Sequence, residues 1–387
     1  MKICFLAEIN NVHTRRWIKY FADLGSEILV LSDNIPKPAI PSVKIIKPEM
    51  NLFTKFLAFK IHPKPYGNNS FKWIAYRKEV NRFKPDIVHA MEAVGYGLAM
   101  ALCGNYPKIL TPWGNDIYHD PFHSRIARFH VKKALNAATI ISTNHPTLGD
   151  YLFDAFHAPK DKVNGFSWGI DLRIFNPHKQ REAWGWKTSL KIPTNVPVIM
   201  SNRNFAEYWG AREIVNAIPV VLKEYPKAHF IIIRGSGGED FYGEMTRFLE
   251  NSGALKNVRI INEKISPGIM AALLNLSDIF ISVPYSDLLS VSLLEGLACG
   301  AVPVASDLPA YKSRIVENEN GFYVPIKDSD AIAQKVIHII KNISMRKKIQ
   351  ERNWRIVREN DDWEKCAPQM LAVYEEAIKK YKACRNV

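Results

Sequence analysis

Residues 282–307, SVPYSDLLSVSLLEGLACGAVPVASD, concentrate the residue types that chemistry needs. Asp287 stands in a polar loop, Glu295 follows eight positions later, and Ser290 and Ser292 lie between them. The apolar run ending at Pro284 reads as a strand, and a helix is predicted to begin near Ser290. The first amides of a helix lack intrahelical acceptors and carry the positive end of its dipole. Val291 and Ser292, just after Leu289, would present free N–H groups beside the two serine hydroxyls, which suits a phosphate. Glu295, about one turn into the helix, is placed to accept from hydroxyls of a ligand anchored on those amides. A strand–loop–helix with a capping serine explains each feature singly but not the set.

Other polar groups also follow apolar runs. SNRNFAEYWG (201–210) carries Arg203, and IIIRGSGG (231–238) puts Gly235 in a Gly-x-Gly turn. Lys264 follows VRIIN; a phosphate-binding cation and an exposed surface lysine are both open readings there. In the first half, NNVHTRRW (10–17) puts His13, Arg15 and Arg16 at the first strand-to-helix turn. DIVHAMEA (86–93) puts His89 and Glu92 at a strand end, and TPWGNDIYHD (111–120) carries Trp113, Gly114, Asp116 and His119. Arginines at such a turn suit an anionic ligand.

An acid, seven residues, a Glu, then a small-residue helix and ACGAVPVASD resembles the signature of retaining GT-B glycosyltransferases of family 4. The resemblance implies that Glu295 binds the donor ribose, that Asp287 contacts the transferred sugar, and that the amides of residues 290–292 hold the diphosphate. Arg203 matches the family's diphosphate-binding arginine, and Gly235 its glycine turn. WGIDLRIFNP (168–177) is similar to the motif that closes the family's first domain, and ENENGFYVP (317–325) to the turn after the donor site. Motif-level likeness covers most of residues 168–325; the first domain matches only in outline. Three positions depart from the pattern. Asp287 replaces a Glu, Trp209-Gly210 replaces Lys-Gly, and Trp113 stands where a sugar-contacting His is usual. Asp116 and His119 are candidate substitutes for that His, and His13, Arg15, His89 and Trp113 are the expected acceptor-side residues. The implied reaction moves a hexose from a UDP- or GDP-linked donor to a hydroxyl, with retention and without metal or further cofactor.

These residues need a scaffold that collects strand ends. Apolar runs at 2–9, 26–32, 43–48, 86–91, 108–114 and 139–144 alternate with helical segments at 14–24, 71–83, 95–102, 126–137 and 147–156. The second half repeats the grammar, with strands expected at 196–202, 229–235, 258–262, 279–284, 302–306 and 321–325. Continuous apolar strands joined by helices predict parallel sheets covered on both faces. The expected fold class is therefore α/β, two doubly wound, Rossmann-like domains facing a cleft, with ligands beyond the carboxyl ends of the strands. An acceptor domain is expected over 1–180 and a donor domain over 181–361, with a C-terminal helix, about 362–387, returning to the first domain.

Composition narrows the class further. The chain has 387 residues, 47% hydrophobic and 23% charged, as a folded protein should. Its five scattered cysteines predict a reducing, cytoplasmic setting and no zinc site. No window is apolar enough to cross a membrane. The net charge is +14, and residues 52–86 hold eight basic against two acidic residues among eight aromatics. That mixture suits an anionic membrane surface, and hence peripheral attachment to the inner face and a glycan or lipid-linked acceptor. Nucleic acid is not expected, since charge alone supports it. A dinucleotide-dependent oxidoreductase would need a glycine fingerprint that 235–240 lacks. A GT-B protein that binds nucleotide sugar without catalysis is the remaining alternative.

Overall fold

The computed structural model describes residues 1–35, 38–49, 69–145, 148–235 and 237–384. Two compact units divide the chain, Met1–Phe166 with Ala367–Val387, and Ser167–Cys366. Residues 52–68, and with them Phe53, Phe56, Phe59 and Tyr66 of the basic aromatic stretch, lie outside the described residues.

The first unit is built on β1 (Lys2–Ala7), β2 (Glu27–Leu31), β3 (Val43–Ile46), β4 (Ile87–Met91), β5 (Lys108–Thr111), β6 (Ile140–Thr143) and β7 (Val163–Gly165). They form one sheet in the order β3-β2-β1-β4-β5-β6-β7. Every pairing is parallel. Strands β4, β5 and β6 are buried throughout, which is why they read as unbroken apolar runs. Strand β7 was not expected: its three residues, VNG, carry no apolar run and take their place by pairing with β6. Helices α1 (Val12–Asp23), α2 (Asn69–Phe83), α3 (Gly95–Leu102), α4 (Asn115–Tyr118), α5 (Asp120–His123), α6 (Arg125–Ala137) and α7 (Leu148–Phe156) connect the strands.

The second unit carries α8 (Gln180–Ser189), β8 (Val198–Ser201), α9 (Ala211–Glu224), β9 (His229–Ile233), α10 (Glu239–Asn251), β10 (Val258–Ile261) and α11 (Pro267–Leu276). It continues with β11 (Ile279–Ser282), α12 (Val291–Ala298), β12 (Val302–Ser306), β13 (Phe322–Val324), α13 (Ser329–Lys341) and α14 (Ile343–Asn360). The sheet order is β10-β9-β8-β11-β12-β13, again parallel. Val215, Ile218 and Val221 of α9 share a buried apolar cluster with Phe230, Val304, Phe322 and Val336.

The first unit ends earlier than residue 180. Ser167 donates to Asp361 at 2.5 Å, and Arg314 clamps the same fully buried carboxylate at 2.7 and 2.8 Å. Ile170 pairs with Asp362 in an isolated bridge, so the WGID segment is held by second-unit residues. The last helix, α15 (Trp363–Ala383), belongs from Ala367 onward to the first unit. Its Tyr374 stacks on Phe21 with ring centroids 4.4 Å apart.

Candidate functional site

In a doubly wound sheet, neighbouring strands whose connections run to opposite sides leave a crevice at their carboxyl ends. In the second unit that point lies between β8 and β11. The loop after β8 supplies Asn202 and Arg203; the loop after β11 supplies Asp287, Ser290 and Ser292. Arg203 spans the gap. Its Nη2 lies 2.9 Å from Asp287 Oδ2, both side chains being about nine-tenths buried. Its Nη1 donates to Ser292 Oγ at 2.7 Å and also to Ser290 Oγ. The two hydroxyls are themselves 2.7 Å apart. Asn202 fixes the same turn by donating to the Ser292 carbonyl at 2.8 Å.

The face of the guanidinium is also occupied, lying 4.0 Å from the centre of the Trp209 ring. Cation–π contact orients it there without supplying a second charge. Gly210 turns the chain out of this loop with a φ of +74°. A side chain there would meet the Val283 carbonyl oxygen at 2.2 Å. Asp287 accepts from Tyr311 Oη at 2.9 Å and from the Leu288 amide at 2.9 Å. Burial pushes the Asp287 carboxyl above its ordinary range, opposed by Arg203 and by these hydrogen bonds. The carboxylate expected at the transferred sugar is thus engaged with Arg203 and Tyr311.

Ser290 is the N-cap of α12, yet its side chain makes no capping bond. Its hydroxyl faces Arg203 instead. The amides of Leu293 and Leu294 bond to the Ser290 carbonyl, while those of Val291 and Ser292 have no acceptor among the described residues. A guanidinium thus stands beside a helix start with two open N–H groups, an arrangement whose chemistry suits an anion. Ser292 and Glu295, three residues apart, share the half-exposed face of α12, while Leu293, Leu294 and Leu297 turn inward. Gly235 has a φ of +57°, and a Cβ there would meet Asn204 Oδ1 at 2.0 Å, so the glycine lets the two loops pack. Lys264 is exposed after β10.

The corresponding point of the first unit lies between β1 and β4, and its polar residues are used differently. His89 is fully buried, with Nδ1 2.5 Å from Tyr374 Oη and Nε2 2.7 Å from Thr111 Oγ1. Burial lowers its pKa to about 3, so the ring is neutral. An acceptor contact was expected of His89; it ties the C-terminal helix to the sheet instead, because its position in β4 points into the core.

Asp116 is 4% exposed and accepts from the amides of Ala93 at 2.7 Å, Trp113 at 2.9 Å and Gly114 at 2.8 Å. The expected catalytic substitute is a brace that holds the β4 and β5 loops together. His119 is exposed and stacks on His123 at 4.0 Å. Trp113 donates to the Met91 carbonyl at 2.9 Å and lies 5.9 Å from the His13 ring. Arg15 donates to the Pro38 carbonyl at 2.8 Å. Glu92, with a φ of +125°, accepts from the Val94, Gly95 and Tyr96 amides at the start of α3. Burial and the nearby Asp116 raise its pKa.

Arg203, Ser290 and Ser292, all expected at the donor, lie together in the structure, and His13 and Trp113, both expected on the acceptor side, are neighbours. Sequence reading missed Tyr311 and Asn202. Tyr311 lies in a 3-10 turn, Pro309–Ser313, with no periodic signal. Asn202 directly precedes Arg203, so its place at a strand end was the available signal.

Comparison with known proteins matches both units. A family model described as glycosyl transferase 4-like matches residues 2–145, and one described as glycosyl transferases group 1 matches residues 182–354. The chain is 20% identical over 378 residues to N-acetyl-alpha-D-glucosaminyl L-malate synthase of Bacillus anthracis, covering 94% of this chain and 93% of that protein. It is 26% identical over 167 residues to phosphatidyl-myo-inositol mannosyltransferase of Mycobacterium leprae, 43% of this chain and 42% of that one. Among solved structures, HepE of Anabaena in complex with UDP and glucose superposes with a TM-score of 0.80 at 14% identity. That match covers 97% of this chain and all of the other. Sucrose-phosphate synthase of Thermosynechococcus elongatus gives 0.80 at 15% identity, over 97% and 98% of the two chains.

Proposed function

The chain belongs to the family 4-like, group 1 glycosyltransferases of GT-B fold, and from that premise we propose that it transfers a hexosyl group from a nucleoside diphosphate sugar to a hydroxyl acceptor with retained anomeric configuration. The observation that carries the reading is the Arg203 guanidinium beside the open Val291 and Ser292 amides. Breaking the bond between the anomeric carbon and the diphosphate oxygen leaves negative charge on the phosphate and positive character on the sugar. Fixed donors aimed at that phosphate stabilise the transition state more than the ground state. Glu295, on the same helix face as Ser292, accepts from the ribose hydroxyls. Asp287 orients Arg203 before the donor arrives and turns to the hexose hydroxyls once the diphosphate shares the guanidinium. The acceptor hydroxyl attacks from the face the diphosphate leaves and gives its proton to the departing phosphate oxygen. In this reading the phosphate charge is met by Arg203 and helix amides, without a metal ion, so EDTA leaves the rate unchanged.

The donor is UDP- or GDP-linked, UDP being favoured by the UDP-glucose complex of the Anabaena structural relative. The acceptor is a glycan or lipid-linked hydroxyl on the cytoplasmic face of a membrane, a choice supported by the +14 charge and by the phosphatidylinositol named in one relative. A thermal-shift screen against UDP-, GDP- and ADP-glucose tests the donor, since a ligand bound only to the folded state raises the melting temperature. Glucose release from the stabilising donor, lost in Glu295→Ala, identifies an enzyme. Stabilisation without release by the wild type would leave a binding protein.

A further inference from the structure

We propose that the outer face of α5 and α6 docks this protein onto an anionic lipid bilayer. The proposal deepens the membrane-acceptor reading above and rests on it for its purpose. Three of the four exposed phenylalanines among the described residues lie in this part of the first unit: Phe122 and Phe129, each 55% exposed, and Phe153, 46% exposed. Each has a cation over its ring. Arg128 lies 5.4 Å from Phe122, Lys133 5.7 Å from Phe129 and Lys160 5.0 Å from Phe153.

Helix α6, RIARFHVKKALNA, explains why the rings are outside. Ala127, His130, Val131, Ala134 and Leu135 fill the inward stripe, which leaves Arg125, Phe129 and Lys133 on one exposed line at four-residue spacing. Its four Lys and Arg residues have no acidic partner in the helix. Among the described residues none of Arg125, Arg128, Lys132 and Lys133 forms an ion pair. A merely solvated helix would balance such charges or keep large aromatics from its outer line. Arg128 is also held inward, donating to the Ala155 carbonyl at 2.9 Å, which leaves Arg125, Lys132 and Lys133 as the cations open to a surface. Rings beside such cations suit the boundary between acyl chains and anionic headgroups. Charge decides where the face ends: Asp150 of α7 pairs with Lys160, just beyond that helix, at 2.6 Å, and Asp154 is exposed on α7, so Phe153 marks the edge.

Co-sedimentation of the full chain tests this, using vesicles of phosphatidylcholine alone and with about 30% phosphatidylglycerol. Wild type should partition at least about ten-fold better onto the anionic vesicles and be released by about 0.5 M salt. F122S/F129S and K132E/K133E should each lower that partition about ten-fold, with unchanged circular-dichroism melting and unchanged UDP-glucose hydrolysis. Failure of hydrolysis in the wild type would count against the transferase reading and leave the partition result standing. No sedimentation of the wild type overturns the docking face. So does binding that survives both variants, or that is lost only with F53S/F56S. Binding to an acidic protein or to DNA in place of anionic vesicles would overturn the lipid assignment.

Discussion

The two sheets share one topology and spend their charged residues in opposite ways. At the β8/β11 crevice, Arg203, Asp287, Ser290 and Ser292 bond mainly to one another and leave two helix amides open. At the β1/β4 crevice, His89 and Asp116 are consumed by their own unit, one holding Tyr374 and the other three loop amides. A titratable residue at the right strand end is therefore not enough to make a site. What separates the regions is whether bonding capacity remains after the fold has taken its share.

The sharpest test of the contrast is Arg203→Ala. Loss of the donor proposed to face the leaving phosphate should lower transfer or donor hydrolysis by about 100- to 1000-fold in steady-state assays. Arg203→Lys should rescue little, because an ammonium cannot meet Asp287 and both serines with one planar fork. Full activity in either variant would remove the distinction between the crevices.

The same contrast explains what could be read from the residues alone. Both sheets were legible because β4, β6, β9 and β11 are fully buried, and burial on two faces writes continuous apolar runs. Strand β7 and helix α8 were not, since VNG has no apolar run and QREAWGWKTS buries only Ala183. At the site, Ser290 was legible as a helix start because a serine directly ahead of an apolar run is a local signal, although its hydroxyl meets Arg203 and caps nothing. The fate of Asp287 was not: Tyr311, which donates to it, is 24 residues away. His89 misled for a related reason, its partner Tyr374 lying 285 residues further on.

His89 supplies the next test, on stability. Its pKa is about 3 in the fold and about 6.5 unfolded. A group with a depressed folded value binds more protons when unfolded across that window. Stability is therefore full above about pH 6.5 and falls by roughly 1.4 kcal/mol per unit as the pH drops toward 3. Urea unfolding of the wild type at pH 7 and pH 5 should differ by about 2 kcal/mol from this residue, and His89→Gln should remove that share. Donor hydrolysis per folded molecule should be unaffected. A large fall in turnover with normal stability would return His89 to the acceptor side.

Trp209 should have a smaller effect, confined to the second unit. Its ring holds the guanidinium plane at 4.0 Å, a contact worth about 0.5–2 kcal/mol. Trp209→Ala should raise donor KM about 3- to 30-fold, and Trp209→Phe should recover most of that. Trp209→Lys adds charge where the family commonly has it but removes the stacking surface. Tighter donor binding in the lysine variant would show that the crevice lacks charge rather than order.

Lys264 gives the smallest expected change and the finest test of the comparison. It could replace the lysine displaced by Trp209 only if it shed water to meet a phosphate. Its side chain is exposed, and an exposed cation in high dielectric contributes at most about 1 kcal/mol, less with salt. Lys264→Ala should therefore shift donor KM by about five-fold or less, and by less at about 0.15 M salt than at about 0.01 M, where screening is weaker. A ten-fold rise at the higher salt would mean that the loop closes on the bound donor. The second unit would then supply two phosphate cations from two strand ends, and the open helix amides would no longer be its main unspent capacity.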